Sequence, residues 1–163
     1  MNEFVRSGFC FSLAVAILLL LSTSSVFAKT TQEHVHQMSH SVMPFAMSET
    51  VHIFKMTESG GVLRVIAKDS GATDQITLIQ QHLKHEAMRF QHGNYSDPAT
   101  LHGANMPGLK DLQDGASDIK ILYAELSEGA EIIFETRDLH LLTAIHRWFR
   151  AQLSEHGADA RAE

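Results

Sequence analysis

The residues best suited to bind a metal ion in this sequence are histidines and methionines near its start. The segment EHVHQMSHSVMPFAM contains three histidines and three methionines, namely His34, His36, Met38, His40, Met43 and Met47. Imidazole and thioether donors together match copper, because thioethers favour Cu(I) and imidazoles accept Cu(II) or Zn(II). The segment predicts a set of transient metal-binding sites, and the alternative is a solvated tail whose histidines are incidental.

A second group of donors lies on two predicted helices. His82 and Glu86 are one helical turn apart, so both side chains can reach one ion. His146 lies on the apolar side of the later helix. If the two helices face each other, His82, Glu86 and His146 form a three-ligand set for zinc, copper or iron. The alternative is that each histidine packs in the core and bonds to a carbonyl or carboxylate.

The loop between these helices adds His102 beside Gly103, and Met106 beside Pro107 and Gly108. A glycine- and proline-rich path can return these side chains over the helices, and binding residues favour loops held by a scaffold. We therefore expect His102 to be a further metal ligand. The remaining histidines have simpler explanations. His92 and His156, for example, are expected in last helical turns, where a cation interacts well with the helix dipole.

Two similar runs of elements must position these residues. Each run has two β-rich segments joined by a glycine-containing turn and then an apolar pattern of helical spacing. This order predicts an α+β fold, a ββα–ββα pseudo-repeat whose four-stranded antiparallel sheet carries two helices on one face. The predicted strands are 51–57, 62–68, 119–126 and 131–137, and the predicted helices are 74–91 and 139–155.

The two halves can be aligned on one another. A shift of 69 residues places Gly60 on Gly129, and a shift of 64 then places His82 on His146. Alternation within the strands predicts that Leu63, Val65, Ala67, Leu122, Ala124, Leu126, Ile132 and Phe134 face the helices. The other face would then hold His52, Phe54, Ile66, Ile121, Tyr123 and Ile133, which is too apolar for bare solvent exposure. We expect a homodimer through this sheet face, or its coverage by the N-terminal segment.

The first residues read as a secretory leader. Residues 1–28 contain Arg6, an apolar run at 13–21 and small residues at the −3 and −1 positions of a cut before Lys29. This predicts a periplasmic or secreted protein with no membrane segment after cleavage. Residues 29–48 would then be a flexible or loosely docked His/Met-rich arm, and residues 49–163 a single domain.

Composition narrows the chemistry further. The chain has 11 His and one Cys, and the formal net charge is −6. Cys10 lies in the predicted leader, so the exported form would contain no cysteine and no thiolate. Histidine and methionine would then be the ligands for a soft metal ion. Nucleic acid is not an expected partner, because clustered Lys and Arg are absent. The sequence also contains no G-x-S-x-G, P-loop, G-x-G-x-x-G or H-E-x-x-H motif.

Three segments carry a resemblance to a known family: HLKHEAMRF, YSDPATLHGANMPGL and AIHRWFRAQLSEHGADA. Through them, residues 51–160 resemble a family of small bacterial proteins whose members often bear the label aspartate carbamoyltransferase. The chain has no Ser-Thr-Arg-Thr phosphate loop and no cationic cluster for carbamoyl phosphate. The resemblance therefore implies membership without that activity, and it draws attention to His82, Glu86, Asp97, His102, His146 and His156.

Three functions fit these patterns. The first is an exported metal-binding protein, copper favoured, with an inter-helix histidine site and an arm for capture or hand-off. The second is a small hydrolase or lyase in which the same His/Glu group acts as general acid and base or holds a metal. The third is a binding module for haem or another apolar ligand.

Overall fold

The computed structural model describes residues 32–163, so the predicted leader and the first residues of the arm lie outside the described residues. The helices are α1 (residues 32–39), α2 (Thr73–Gln91), α3 (Ser96–His102), α4 (Leu109–Asp114) and α5 (Leu139–His156). The strands are β1 (Thr50–Thr57), β2 (Gly60–Ala67), β3 (Lys120–Leu126), β4 (Gly129–Glu135) and β5 (Ala160–Ala162). Short 3₁₀ turns occur at Met47–Glu49, Ala116–Asp118 and Gly157–Asp159.

The strands form one sheet in the order β3-β4-β2-β1-β5. The first four strands are antiparallel, and β5 pairs parallel to β1. The α+β class is confirmed, but the sheet is five-stranded and mixed. Strand β5 was not predicted, because its three residues are too few to show an alternation of apolar and polar side chains. The chain end reaches β1 by tertiary contacts, with the backbone N–H of Glu163 donating to the Phe54 carbonyl at 3.2 Å. The pseudo-repeat stays a prediction.

The strand register corrects the predicted sheet faces for β1 and β3. His52 pairs with Val65, and Ile121 pairs with Phe134. Because directly paired residues point to the same face, His52, Phe54, Ile121 and Tyr123 face the helices. The side chains of Leu122, Ala124 and Leu126 lie on the opposite face. In both strands, the odd-numbered and the even-numbered residues each include apolar side chains. The alternation alone therefore did not decide which set is buried.

Both long helices pack on the same face of the sheet. In α2, the buried residues Ile79, Leu83 and Phe90 follow helical spacing and lie over β3 and β4. The start of α5 is capped by the Asp138 side chain, which accepts from the backbone N–H of His140 and Leu141. The buried face of α5 then lies over β1 and β2.

The segment between the two halves, predicted as a loop with a short helical turn after Pro107, contains α3 and α4, and α4 begins at Leu109 where the turn was predicted. Pro98 is tolerated in α3 because it lies in the first turn, where backbone N–H groups have no helical partners. Gly108 precedes α4 with a left-handed φ of 84°. A Cβ on Gly108 would clash with the carbonyl of Ala144 in α5, so glycine allows α4 to approach α5 closely.

The arm, predicted to be flexible or loosely docked, is packed against the domain over residues 32–48. Val35 and Met47 are buried against Leu101 of α3. Phe45 is buried in the main core, and the backbone N–H of Ala46 donates to Gln75 Oε1 at 2.9 Å. The arm therefore covers the helix side of the domain, whereas the homodimer through the opposite sheet face stays a prediction. No helix within residues 32–163 is long and apolar enough to cross a membrane.

Candidate functional site

A buried cavity of about 50 Å³ lies between α2, α5 and the sheet. Val42, Met43 and Phe45 of the arm and Leu101 of α3 contribute to its wall. Most of its lining is apolar, but six polar side chains also reach it. They are His52, His82, Glu86, Asp97, Gln152 and His156. A cavity needs a volume of roughly 10–15 Å³ to hold one water molecule, so this cavity has room for a few water-sized groups.

Three imidazoles from three separate elements meet beside this cavity, and we call them the histidine cluster. His52 comes from β1, His102 from the end of α3 and His156 from the end of α5. The rings of His52 and His156 stack with their centroids 4.7 Å apart, and the ring of His102 lies 4.9 Å from that of His156. His156 is fully buried and His52 is 4% exposed.

The hydrogen bonds of the cluster are unusually few. His102 Nδ1 donates to Glu155 Oε2 at 2.7 Å, which leaves Nε2 as the free ring nitrogen with its lone pair. Among the described residues, no hydrogen-bond partner reaches His52 Nδ1, His102 Nε2 or either ring nitrogen of His156. The nearby side-chain nitrogen of Gln152 is unpartnered in the same sense. Buried polar atoms are normally paired, so this concentration marks the site as unusual.

Burial keeps the cluster uncharged at neutral pH. Desolvation lowers the pKa of His52 to about 3, and the nearby His102 and His82 add to the effect. Burial also places the pKa of His156 well below its usual value. The pKa of His102 is lowered by burial despite the opposing charge of Glu155. All three imidazoles therefore offer lone pairs at pH 7.

An ion network forms the cavity wall on the α2 side. Arg89 Nη1 lies 2.9 Å from Glu86 Oε1 and 2.7 Å from Asp97 Oδ2. Burial is the main cause that raises the pKa of Glu86 to about 7, the Asp97 charge adds to it, and Arg89 opposes it. Glu86 can therefore exist in both protonation states near neutral pH. This is the condition for a general acid or base.

The two helix histidines that the sequence analysis paired have different surroundings. His82 packs edge-on against Phe45, with ring centroids 5.6 Å apart, and reaches the cavity. His146 Nε2 instead donates to the carbonyls of Thr57 and Gly60 at 3.1 and 2.8 Å. It ties α5 to the β1–β2 turn, which is the packing alternative considered for a core histidine. The structure thus brings His82 and Glu86 to the cavity but places His146 elsewhere.

The arm residues predicted as ligands are spread along its surface. His34 and His40 are exposed, and Met38 packs with Val35. His36 Nδ1 lies 3.8 Å from Asp159 Oδ2, and its ring centroid is 6.0 Å from that of His40. Of the methionines, Met43 lines the cavity, whereas Met47 and Met106 are buried in apolar clusters. Across residues 32–163, no three His, Cys, Asp or Glu side chains are arranged to hold a metal ion.

Comparison with known protein families, curated proteins and solved structures finds no match to this chain. Three segments singled out in the sequence come together in the structure. HLKHEAMRF supplies His82 and Glu86, and YSDPATLHGANMPGL supplies Asp97 and His102. AIHRWFRAQLSEHGADA supplies Gln152, Glu155 and His156. All three segments contribute to the cavity or the histidine cluster.

Sequence reasoning missed His52, His156 and Glu155 as residues of the site. His52 was assigned to the outer sheet face, and His156 to a helix-dipole position. One signal was available, because His156 lies in a segment that the resemblance emphasised. The contact between His102 and Glu155, which are 53 residues apart, left no trace in the local spacing.

Proposed function

We propose that this protein binds a transition-metal ion, copper favoured, at the histidine cluster. The observation that carries the proposal is the set of four buried, unpartnered ring nitrogens on His52, His102 and His156. A histidine must be uncharged to bind a metal ion, and these three rings are uncharged already. Metal binding here therefore displaces no protons from the rings. Metal coordination would also offset the cost of burying polar atoms without partners.

The contact between His102 and Glu155 supports the proposal independently. Histidines that bind metals usually donate their second ring N–H to a carboxylate or carbonyl, which fixes the tautomer and the ring orientation. His102 has this arrangement, since Nδ1 donates to Glu155 and Nε2 is free. The stacked rings of His52 and His156 must turn about their Cβ–Cγ bonds before nitrogens from all three rings converge.

The choice of copper rests on the donors around the cluster. Three imidazoles suit copper, zinc or iron. The Met43 thioether in the cavity wall adds a soft donor that favours Cu(I). The small cavity volume favours an ion with one small ligand over haem, because a macrocycle is far larger than a few water-sized groups.

Parts of the sequence-based hypothesis enter this proposal in changed form. His102 remains a ligand, and His82 and Glu86 become residues of the cavity wall. His146 becomes a structural residue, while His34, His36, Met38 and His40 remain proposed transient sites on the arm. Export to the periplasm or beyond the cell, which fits thiolate-free copper binding, also stays part of the proposal.

The proposed duplication concerns the origin of this scaffold. The two hairpins, β1–β2 and β3–β4, meet through the pairing of β2 with β4. A pseudo-two-fold axis between these central strands would relate two ββα units. The terminal strand β5 and the inserted helices α3 and α4 have no counterpart in such a repeat, and α3 supplies His102.

Titration of Cu(I), Cu(II) and Zn(II) into the mature protein tests the proposed function. We expect one tight equivalent, and we expect His52→Leu and His156→Leu each to weaken it more than about tenfold. His146→Gln is the matched control, because its imidazole engages only turn carbonyls, and it should leave the affinity unchanged. Equal affinities in all variants, with folding verified by circular dichroism, would contradict the proposal.

A metal-assisted hydrolase or lyase is the second candidate, and Glu86 favours it. Its carboxyl lies in the wall of the same cavity with a pKa near 7. The cavity admits only small substrates, so hydration of carbon dioxide and hydrolysis of acetate esters are suitable assays. A metal-dependent rate lost in Glu86→Gln would support the enzyme. A rate equal to that of the uncatalysed reaction would remove it.

A further inference from the structure

A second, open depression of about 540 Å³ lies on the surface next to the buried cavity. The two spaces share four wall residues, namely Val42, Met43, His82 and Asp97. They are therefore separated by a thin wall of side chains, part of which comes from the arm.

The depression collects donors from two elements. His82 and His85 lie on α2 at i and i+3, and His40 comes from the arm. Met43 adds a thioether, and Asp97 adds a carboxylate that faces His82. Burial lowers the pKa of His82 to about 4, with Asp97 opposing and His85 adding to the effect, so its ring is uncharged at pH 7.

The Phe45 ring contacts both His82 of this depression and His52 of the cluster. Phe45 is 4% exposed, and its ring contacts His82 on one side, with centroids 5.6 Å apart. On the other side it contacts His52 of the cluster, at 6.2 Å. A change in the Phe45 side chain would open a path from one histidine to the other.

We propose that this depression, the outer site, captures Cu(I) and passes it through Met43 and His82 to the histidine cluster. This inference rests on the proposed function of the cluster. Cu(I) is soft and forms two- and three-coordinate complexes, so it can move by exchange of one imidazole or thioether ligand at a time. The transfer changes neither the oxidation state of copper nor the covalent bonds of the protein. Only weak, partial ligation is needed in the outer site.

The test measures two quantities for each protein variant: the rate at which Cu(I) moves to the protein from a chromophoric chelator, and the affinity of the protein for Cu(I) at equilibrium. We expect the double variant His40→Ala/His85→Ala to load at least about tenfold more slowly, with unchanged affinity. The control His92→Ala/His140→Ala removes two exposed histidines, one at the end of α2 and one in the first turn of α5, both outside the depression. It should load like the wild type. Phe45→Ala should load faster.

Equal loading rates in the outer-site and control variants would overturn the route. A loss of final affinity in His40→Ala/His85→Ala would overturn it too, because those residues would then hold the ion rather than pass it on. The variant His52→Leu/His156→Leu separates the two proposals. It should keep a weaker Cu(I) equivalent that disappears when His40 and His85 are also replaced. Tight binding in that variant would instead refute the cluster as the final site.

Discussion

His102 donates its Nδ1 proton to the carboxylate of Glu155 at 2.7 Å, and the Nε2 of the same ring is buried beside His156. The two residues are 53 positions apart and come from α3 and α5. Their contact fixes the tautomer of His102 and makes its lone pair point away from Glu155. It is the pairing of carboxylate and imidazole that orients many metal-binding histidines.

The first prediction concerns this contact. Replacing Glu155 with Gln removes the negative charge that holds the His102 tautomer, so metal affinity should fall about 10- to 100-fold. Glu135→Gln is the control, because Glu135 forms an exposed ion pair with Lys120 far from the cluster. Competition titration against a chelator measures both variants. Equal affinities for the two would show that Glu155 does not position a ligand.

The second prediction is a loss of stability in acid caused by His52. Its pKa is about 3 in the folded protein against 6.5 when exposed, so the unfolded chain binds more protons between these values. The stabilisation is complete above pH 6.5 and is lost as the pH falls towards 3. Between pH 7 and pH 5, His52 should account for a loss of about 2 kcal/mol in the free energy of unfolding.

Urea unfolding of the wild type and His52→Leu at both pH values tests this. The wild type should lose about 2 kcal/mol more than the variant between pH 7 and pH 5. Glu86 acts in the opposite direction, because its pKa is raised to about 7, but it is present in both proteins and largely cancels. Identical losses would mean that His52 is protonated as easily in the folded as in the unfolded chain.

The third prediction concerns the ion network of Arg89. Arg89→Met leaves Glu86 and Asp97 without their shared cation in a mostly buried position. We expect a destabilisation of about 2 kcal/mol or more at pH 7. The control Lys110→Met breaks an exposed pair with Asp114, and it should leave the unfolding midpoint nearly unchanged. Similar effects of both changes on the unfolding midpoint would contradict this account of the network.

A pair of glycines provides the fourth prediction. Gly103 and Gly108 both have left-handed φ values, 93° and 84°. A Cβ on Gly103 meets nothing within 4 Å among the described residues, whereas one on Gly108 clashes with the Ala144 carbonyl. Gly103→Ala should therefore cost about 1–3 kcal/mol of backbone strain without a steric clash, because a φ of 93° with a ψ of 148° is almost exclusive to glycine. Gly108→Ala should cost clearly more in thermal unfolding, and equal costs would show that α4 does not need this close approach.

Local signals in the sequence were sufficient for most of the fold. The spacing of Ile79, Leu83 and Phe90 predicts α2, and that of Leu142, Phe149 and Leu153 agrees with α5. The four longer strands and two long helices all begin within two residues of their predicted starts. These features depend on neighbours in the chain, and for that reason a single sequence reveals them.

The sheet faces and the site depend on tertiary contacts, which local patterns do not contain. Both sets of alternating residues in β1 include apolar side chains, so only the pairing of β1 with β2 shows that His52 points towards the helices. The histidine cluster joins residues from β1, α3 and α5, and no spacing rule connects them. His82 and Glu86 were found because one helical turn separates them. His146 was paired with His82 through an assumed symmetry axis, and its actual contact is with the β1–β2 turn.

Ring ¹⁵N chemical shifts of the individual histidines test the central claim most directly. One equivalent of Cu(I), or of Zn(II) as a diamagnetic substitute, is added to the chain without the proposed leader, and each imidazole is followed by NMR. The account predicts large shifts for one ring nitrogen each of His52, His102 and His156, with His102 responding at Nε2. Shifts confined to His34, His36 and His40, or to His82 and His85, would contradict it.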